Sequence, residues 1–95
     1  MNCCYIIYSK KANHYYVGAS RDLLERIRKH NKKAYGLKAY TAIADDWQLF
    51  HFIECDNYAH ALRIERHVKE MKSRTYIENL KKYPEMCEKL KIRFR

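Results

Sequence analysis

Apolar positions early in the chain come in short, strand-sized blocks. Cys3–Ser9 ("CCYIIYS") is apolar and aromatic and predicts a strand. The polar stretch Lys10–Asn13 reads as a hairpin turn, and His14–Gly18 ("HYYVG") as a second short strand ended by its glycine. Antiparallel pairing of the two is the simplest topology. Cys3, Tyr5 and Ile7 then share one face of the first strand, and His14, Tyr16 and Gly18 one face of the second.

The rhythm then becomes helical. Leu23, Arg26, Ile27 and His30 fall at i, i+3, i+4 and i+7, the spacing of a core-facing stripe. Ser20 suits the N-cap of this helix and Asp22 its positive end, and the helix should run to about Lys32. Lys33–Asp46 is basic, then acidic, with Gly36 inside it, and reads as a loop. Trp47–Cys55 ("WQLFHFIEC") is apolar on both faces, which predicts a strand at the centre of a sheet covered on both sides. Asp56 or Asn57 should cap a second helix to about Lys72, with Ala61, Ile64, Val68 and Met71 as its apolar stripe and Tyr58 and Leu62 beside it. A shorter helix covers about Thr75–Lys82, and Pro84 opens a basic tail.

The expected fold is therefore α+β, a small three-stranded antiparallel sheet flanked by helices in the order β-β-α-β-α-α. Residues 1–83 would form the domain and residues 84–95 a short C-terminal tail packed on it or extending from it. The 95 residues suffice for one domain. The balance of 20 Lys+Arg against 11 Asp+Glu leaves a formal charge of +9. That charge suits nucleic acid, an anionic membrane surface or an acidic protein as partner. Nine tyrosines and scarce Gly and Pro mark an ordered domain, not a basic disordered tail. Cys3, Cys4, Cys55 and Cys87 form no C-x-x-C pair, so reduced thiols and a cytoplasmic setting are expected. No stretch reads as a membrane span or signal peptide. Cys3, Cys4, His51, Cys55, His60 and His67 match no compact zinc spacing.

Two members of the first helical stripe, Arg26 and His30, are polar, and Glu65 lies along the edge of the second helix's stripe. Together with Tyr5 and Tyr16, five side chains that are costly to desolvate alone aim partly inward. That collection is the chief functional signal. Each has a plain rival: strand aromatics for the tyrosines, a structural ion pair for Arg26 and Glu65, a helix C-terminal histidine for His30.

As a pattern, the residues resemble the GIY-YIG nuclease superfamily, above all its small stand-alone members. Cys3–Tyr5 stands at the first signature tripeptide and Tyr16–Gly18 ("YVG") at the second. Arg26 follows ten residues after Tyr16 and His30 four later, and Glu65 lies on the next long helix. The likeness spans about residues 3–82. The chain departs from the family pattern where Cys3-Cys4 replaces Gly-Ile.

The resemblance implies metal-dependent endonucleolytic hydrolysis of DNA, with little sequence specificity and a possible preference for DNA structure. Repair, recombination or foreign-DNA processing would be its setting. The catalytic residues it implies are Tyr5, Tyr16, Arg26, His30 and Glu65. Glu65 would hold one Mg²⁺ or Mn²⁺ ion, Arg26 a phosphate oxygen, and a tyrosine, by resemblance Tyr5, would take a proton from water. Gly18 would let a phosphate approach the backbone. Lys32, Lys33, Lys38 and Tyr40 interleave charge with an aromatic as phosphate-tracking surfaces do. Asn79 is the candidate for an asparagine that many members carry near this end. The expected partner is DNA, with RNA open and a protein partner able to supply specificity. A location beside the nucleoid, or in a nucleus, would follow. The alternatives are a non-catalytic nucleic-acid-binding module of the same fold and an interaction domain for an acidic protein.

Overall fold

A computed structural model describes all residues, Met1–Arg95. Strands β1 (Cys3–Ser9), β2 (His14–Ser20) and β3 (Gln48–Glu54) form one antiparallel sheet in the order β2-β1-β3. Helices α1 (Leu23–Asn31), α2 (Tyr58–Met71), α3 (Arg74–Lys82) and α4 (Pro84–Arg93) flank it, and a short 3-10 helix spans Tyr40–Ile43.

The central strand is β1, not the third strand as the sequence suggests. Cys3–Ile7 are all buried, while in β3 Leu49 and Phe52 stay about 40% exposed (41% and 39%). Apolar character on both faces marks both strands. Which of them lies between two partners depends on pairing, and β1 pairs with both neighbours. Its hairpin with β2 runs in register from Cys3 opposite Ser20 to Ser9 opposite His14. β2 therefore continues two residues past Gly18. Gly18 lies inside the strand and has no positive φ, so it does not end the strand.

The alternation of β1 divides the core in two. Cys4 and Ile6 join Val17, Ala19, Ile53 and the buried faces of α2, α3 and α4. Cys3, Tyr5 and Ile7 point the other way, to Leu23 of α1, Ala44 and Trp47. Helix caps account for the boundaries. Asp22 accepts from the Glu25 amide (3.2 Å) and caps α1, whereas the Ser20 hydroxyl accepts from the Asp22 amide (2.9 Å) and fixes the turn before it. Asn57, one of the two expected candidates, caps α2 through the His60 amide (2.8 Å). α2 ends at Lys72 in the left-handed region (φ 48°), and Met71, expected in its apolar stripe, is exposed together with Leu62.

Residues 84–93 form α4, which the sequence does not announce. Pro84 occupies the first turn, where a missing amide costs nothing. The helix pins Cys87 and Leu90 into the larger core, and the Lys91 carbonyl meets Nε2 of the fully buried His60 at 2.9 Å. No helix is long and apolar enough to cross a membrane. Because Leu90 is core, Leu90→Ala should lower unfolding free energy by about 2–5 kcal/mol, the range for large-to-small core changes. A urea midpoint unchanged from wild type would mean that α4 is only loosely attached.

Candidate active site

Tyr5, on the central strand, points to the α1 side of the sheet and is 1% exposed. A buried phenol needs a partner, and α1 supplies it. The Tyr5 hydroxyl and His30 Nε2 lie 2.8 Å apart. His30 Nδ1 lies 2.6 Å from Thr41 Oγ1, in the short 3-10 helix. The Thr41 carbonyl accepts from Trp47 Nε1 (2.8 Å), and the Trp47 backbone is clamped at both ends by the Asn31 amide side chain. One chain of hydrogen bonds thus ties β1, α1 and the 34–47 segment together.

The stripe that aims a histidine inward is explained by this chain. His30 is 4% exposed, and burial, helped by the Arg26 charge, lowers its pKa to about 4. The imidazole is neutral at physiological pH, so one ring nitrogen donates and the other accepts. Tyr5 is pushed the other way. Burial raises its pKa, Tyr16 pushes it further, Arg26 opposes, and Tyr35 and Glu65 add to the rise. Arg26 and Glu65 thus both act through space on this phenol.

Gly18 sits opposite Tyr5 in the β1–β2 register. A Cβ there would come within 2.5 Å of Tyr5 Cζ and 2.8 Å of Cε1. The glycine makes room for the phenol of the neighbouring strand. It does not end the strand, as its sequence position suggests, since β2 continues through it to Ser20.

Around this buried chain stand aromatic rings. Tyr16 is edge-on to His30 at 5.1 Å and stacks on Tyr40 at 5.9 Å, with 25° between planes. Tyr35 lies 4.9 Å from His30, and the Arg26 guanidinium carbon 5.6 Å from the Tyr35 ring. Tyr16, Arg26, His30, Tyr35, Tyr40 and Thr41 line a cavity of about 100 Å³.

Arg26 takes part in none of the protein's ion pairs. Glu65, half-buried on α2, pairs instead with Lys69 at 3.1 Å, and Lys69 Nζ stands 5.2 Å from the Tyr16 ring centre. The structural Arg26–Glu65 pair that the sequence permits does not form. Lys32, Lys33 and Lys38 are exposed at the end of α1 and in the following loop and do not line the cavity. Asn79, on α3, does not line it either.

Three contributors escape a reading of the sequence. Thr41 and Tyr35 lie in a segment without periodicity, so nothing points them at His30. Lys69 left a signal, being four residues after Glu65 on a helix.

The family model described as the GIY-YIG catalytic domain matches residues 1–82. No curated protein and no solved structure matches the chain significantly.

Two measurements probe this geometry. Gly18→Ala should displace the Tyr5 phenol and cost about 1–3 kcal/mol, as overpacking does. An unchanged urea midpoint would show that the strands part easily. For His30, the folded pKa lies below the unfolded value. Its neutral form therefore stabilises the fold fully above about pH 6.5, and that contribution is lost as pH falls towards 4. In an NMR titration the His30 ring should show no midpoint near 6.5. A midpoint there would refute its burial as a neutral group.

Proposed function

The chain belongs to the GIY-YIG family, whose catalytic domain is a nuclease, and from that premise we propose that it is a divalent-metal-dependent endonuclease acting on DNA with little sequence preference. One observation carries the reading. A half-buried arginine without a carboxylate partner opens on a cavity lined by His30 and Thr41, two members of the buried Tyr5–His30–Thr41 hydrogen-bond chain. An unpaired guanidinium beside such a chain is suited to a phosphate, which it can grip with two parallel N–H donors.

Each residue then has a task. Arg26 holds a non-bridging phosphate oxygen and meets the charge that grows there in the transition state. Tyr5 takes the proton of the attacking water, and for this its own proton must move to His30 Nε2. That transfer requires the tautomer in which Nδ1–H donates to Thr41 Oγ1 and Nε2 accepts from Tyr5. Arg26 disfavours an imidazolium next to it. A phosphate anion on Arg26 offsets that repulsion, so the relay is turned on by substrate. Tyr16 walls the cavity at the sheet's edge.

The donor set fits one hard cation. No three His, Cys, Asp or Glu side chains converge anywhere in the protein. Glu65 offers a single carboxylate, which suits Mg²⁺ or Mn²⁺ completed by water and phosphate oxygens. Bound there, the ion would neutralise phosphate charge and acidify water. Without it, Lys69 balances the carboxylate.

Weak sequence preference is expected because the formal charge of +9 favours contacts with the sugar–phosphate backbone.

The test is cleavage of supercoiled, single-stranded and branched DNA with Mg²⁺, Mn²⁺ or chelator. Arg26→Ala should slow single-turnover cleavage by at least about 10²-fold, the loss seen for one transition-state donor, with the urea midpoint kept. Arg26→Lys should recover little, lacking the planar fork. Glu65→Ala should abolish cleavage yet still bind DNA. If Arg26→Ala instead destabilises the fold and cuts normally, the arginine is structural. Binding without cleavage under every condition would favour a non-catalytic module.

A further inference from the structure

A second, larger cavity of about 340 Å³ opens beside the catalytic one, at the corner where α2 meets α3 against β2. Its volume falls within the range of ligand pockets. Tyr16 and Tyr40 line both cavities, so their stacked rings form the shared wall. The floor is apolar, made by Val17, Val68 and Ile77. The rim is cationic, with Lys69, Lys72 and Arg74, and no Asp or Glu lines the cavity.

The corner is held in place. Lys72 turns the chain in the left-handed region, and the Ser73 hydroxyl then caps α3 by accepting from the Tyr76 amide (3.0 Å). Arg74 donates to the Asn13 carbonyl (3.2 Å) and to its Oδ1 (3.0 Å), with the guanidinium 5.1 Å from the Tyr15 ring centre. Lys72 and Arg74 enter no ion pair. A flat apolar body carrying negative charge is what this cavity complements.

We infer that it takes one unpaired nucleobase of the strand being cut, laid on the Tyr16–Tyr40 wall, while the rim cations hold adjoining phosphates. The inference rests on the nuclease reading of the cavity next door and adds a substrate class. DNA with unpaired bases beside the scissile phosphate, such as single strands, flaps and frayed ends, is preferred over intact duplex. In a duplex the base must first be unstacked and unpaired, at a cost in free energy. Base–aromatic stacking tolerates any base, which accords with weak sequence preference.

Binding of the intact chain to two fluorescent single strands of equal length and charge tests this. One strand is oligothymidylate and the other has the same backbone with abasic residues. In chelator, so that nothing is cut, fluorescence anisotropy should show oligothymidylate bound about tenfold or more tightly, the size expected of a stacked base. Tyr40→Ala, at an exposed position, should remove half of the stacking wall and bring the ratio close to one. Lys72→Asn keeps a residue that tolerates the left-handed turn. It should weaken both strands alike and preserve the ratio. Equal binding of the two strands by wild type, or a ratio that survives Tyr40→Ala, overturns the inference. Selective binding in a chain that cuts no DNA would instead refute the nuclease reading and leave this site standing.

Discussion

The hydrogen-bond chain Tyr5–His30–Thr41 is the constraint on which the site depends. It joins a central strand, a helix and the short 3-10 helix, with His30 lying 25 residues after Tyr5 and Thr41 lying 11 after His30. Each member is a polar group that would be costly to bury alone, and together they are satisfied, with no buried side-chain N or O left without a partner. The chain also sets the chemistry. Burial keeps the imidazole neutral and the phenol protonated, so the two rings meet through a hydrogen bond between uncharged groups.

The two faces of the sheet divide the work. The face carrying Cys4 and Ile6 packs on α2, α3 and α4 and makes the larger core. The face carrying Tyr5 is covered by one helix and the 40s segment, a thinner layer through which a cavity reaches His30 and Thr41. Strand order places the two tyrosines differently. Tyr5 is buried in the middle strand, and Tyr16 on the outer strand is half-exposed and walls two cavities. Gly18 permits this arrangement, because any side chain there would occupy the space of the Tyr5 ring.

Charge is arranged by exclusion as much as by pairing. Most of the protein's ion pairs join exposed side chains, such as Lys11 with Asp45 and Arg66 with Glu70, and contribute little to stability. Arg26, Lys72 and Arg74 are left out of them, and all three border cavities next to Tyr16 or Tyr40. Unpaired cations around aromatic walls are poor stabilisers and good phosphate ligands.

Sequence by itself determined much of this protein. Residue spacing along α1 and β2 placed Arg26, His30 and Tyr16, because side-chain direction follows backbone period in helices and strands. The α+β class and the first strand's limits followed from the same periodicity. The tertiary structure alone decided which apolar strand is central, since pairing partners leave no mark on a strand's own composition. It also decided that Glu65 pairs with Lys69 and not with Arg26, that Gly18 serves the Tyr5 ring, and that residues 84–93 fold back as α4. Thr41 shows the reason most clearly. It has no periodic context, and only the folding of its segment over the sheet brings its hydroxyl to His30.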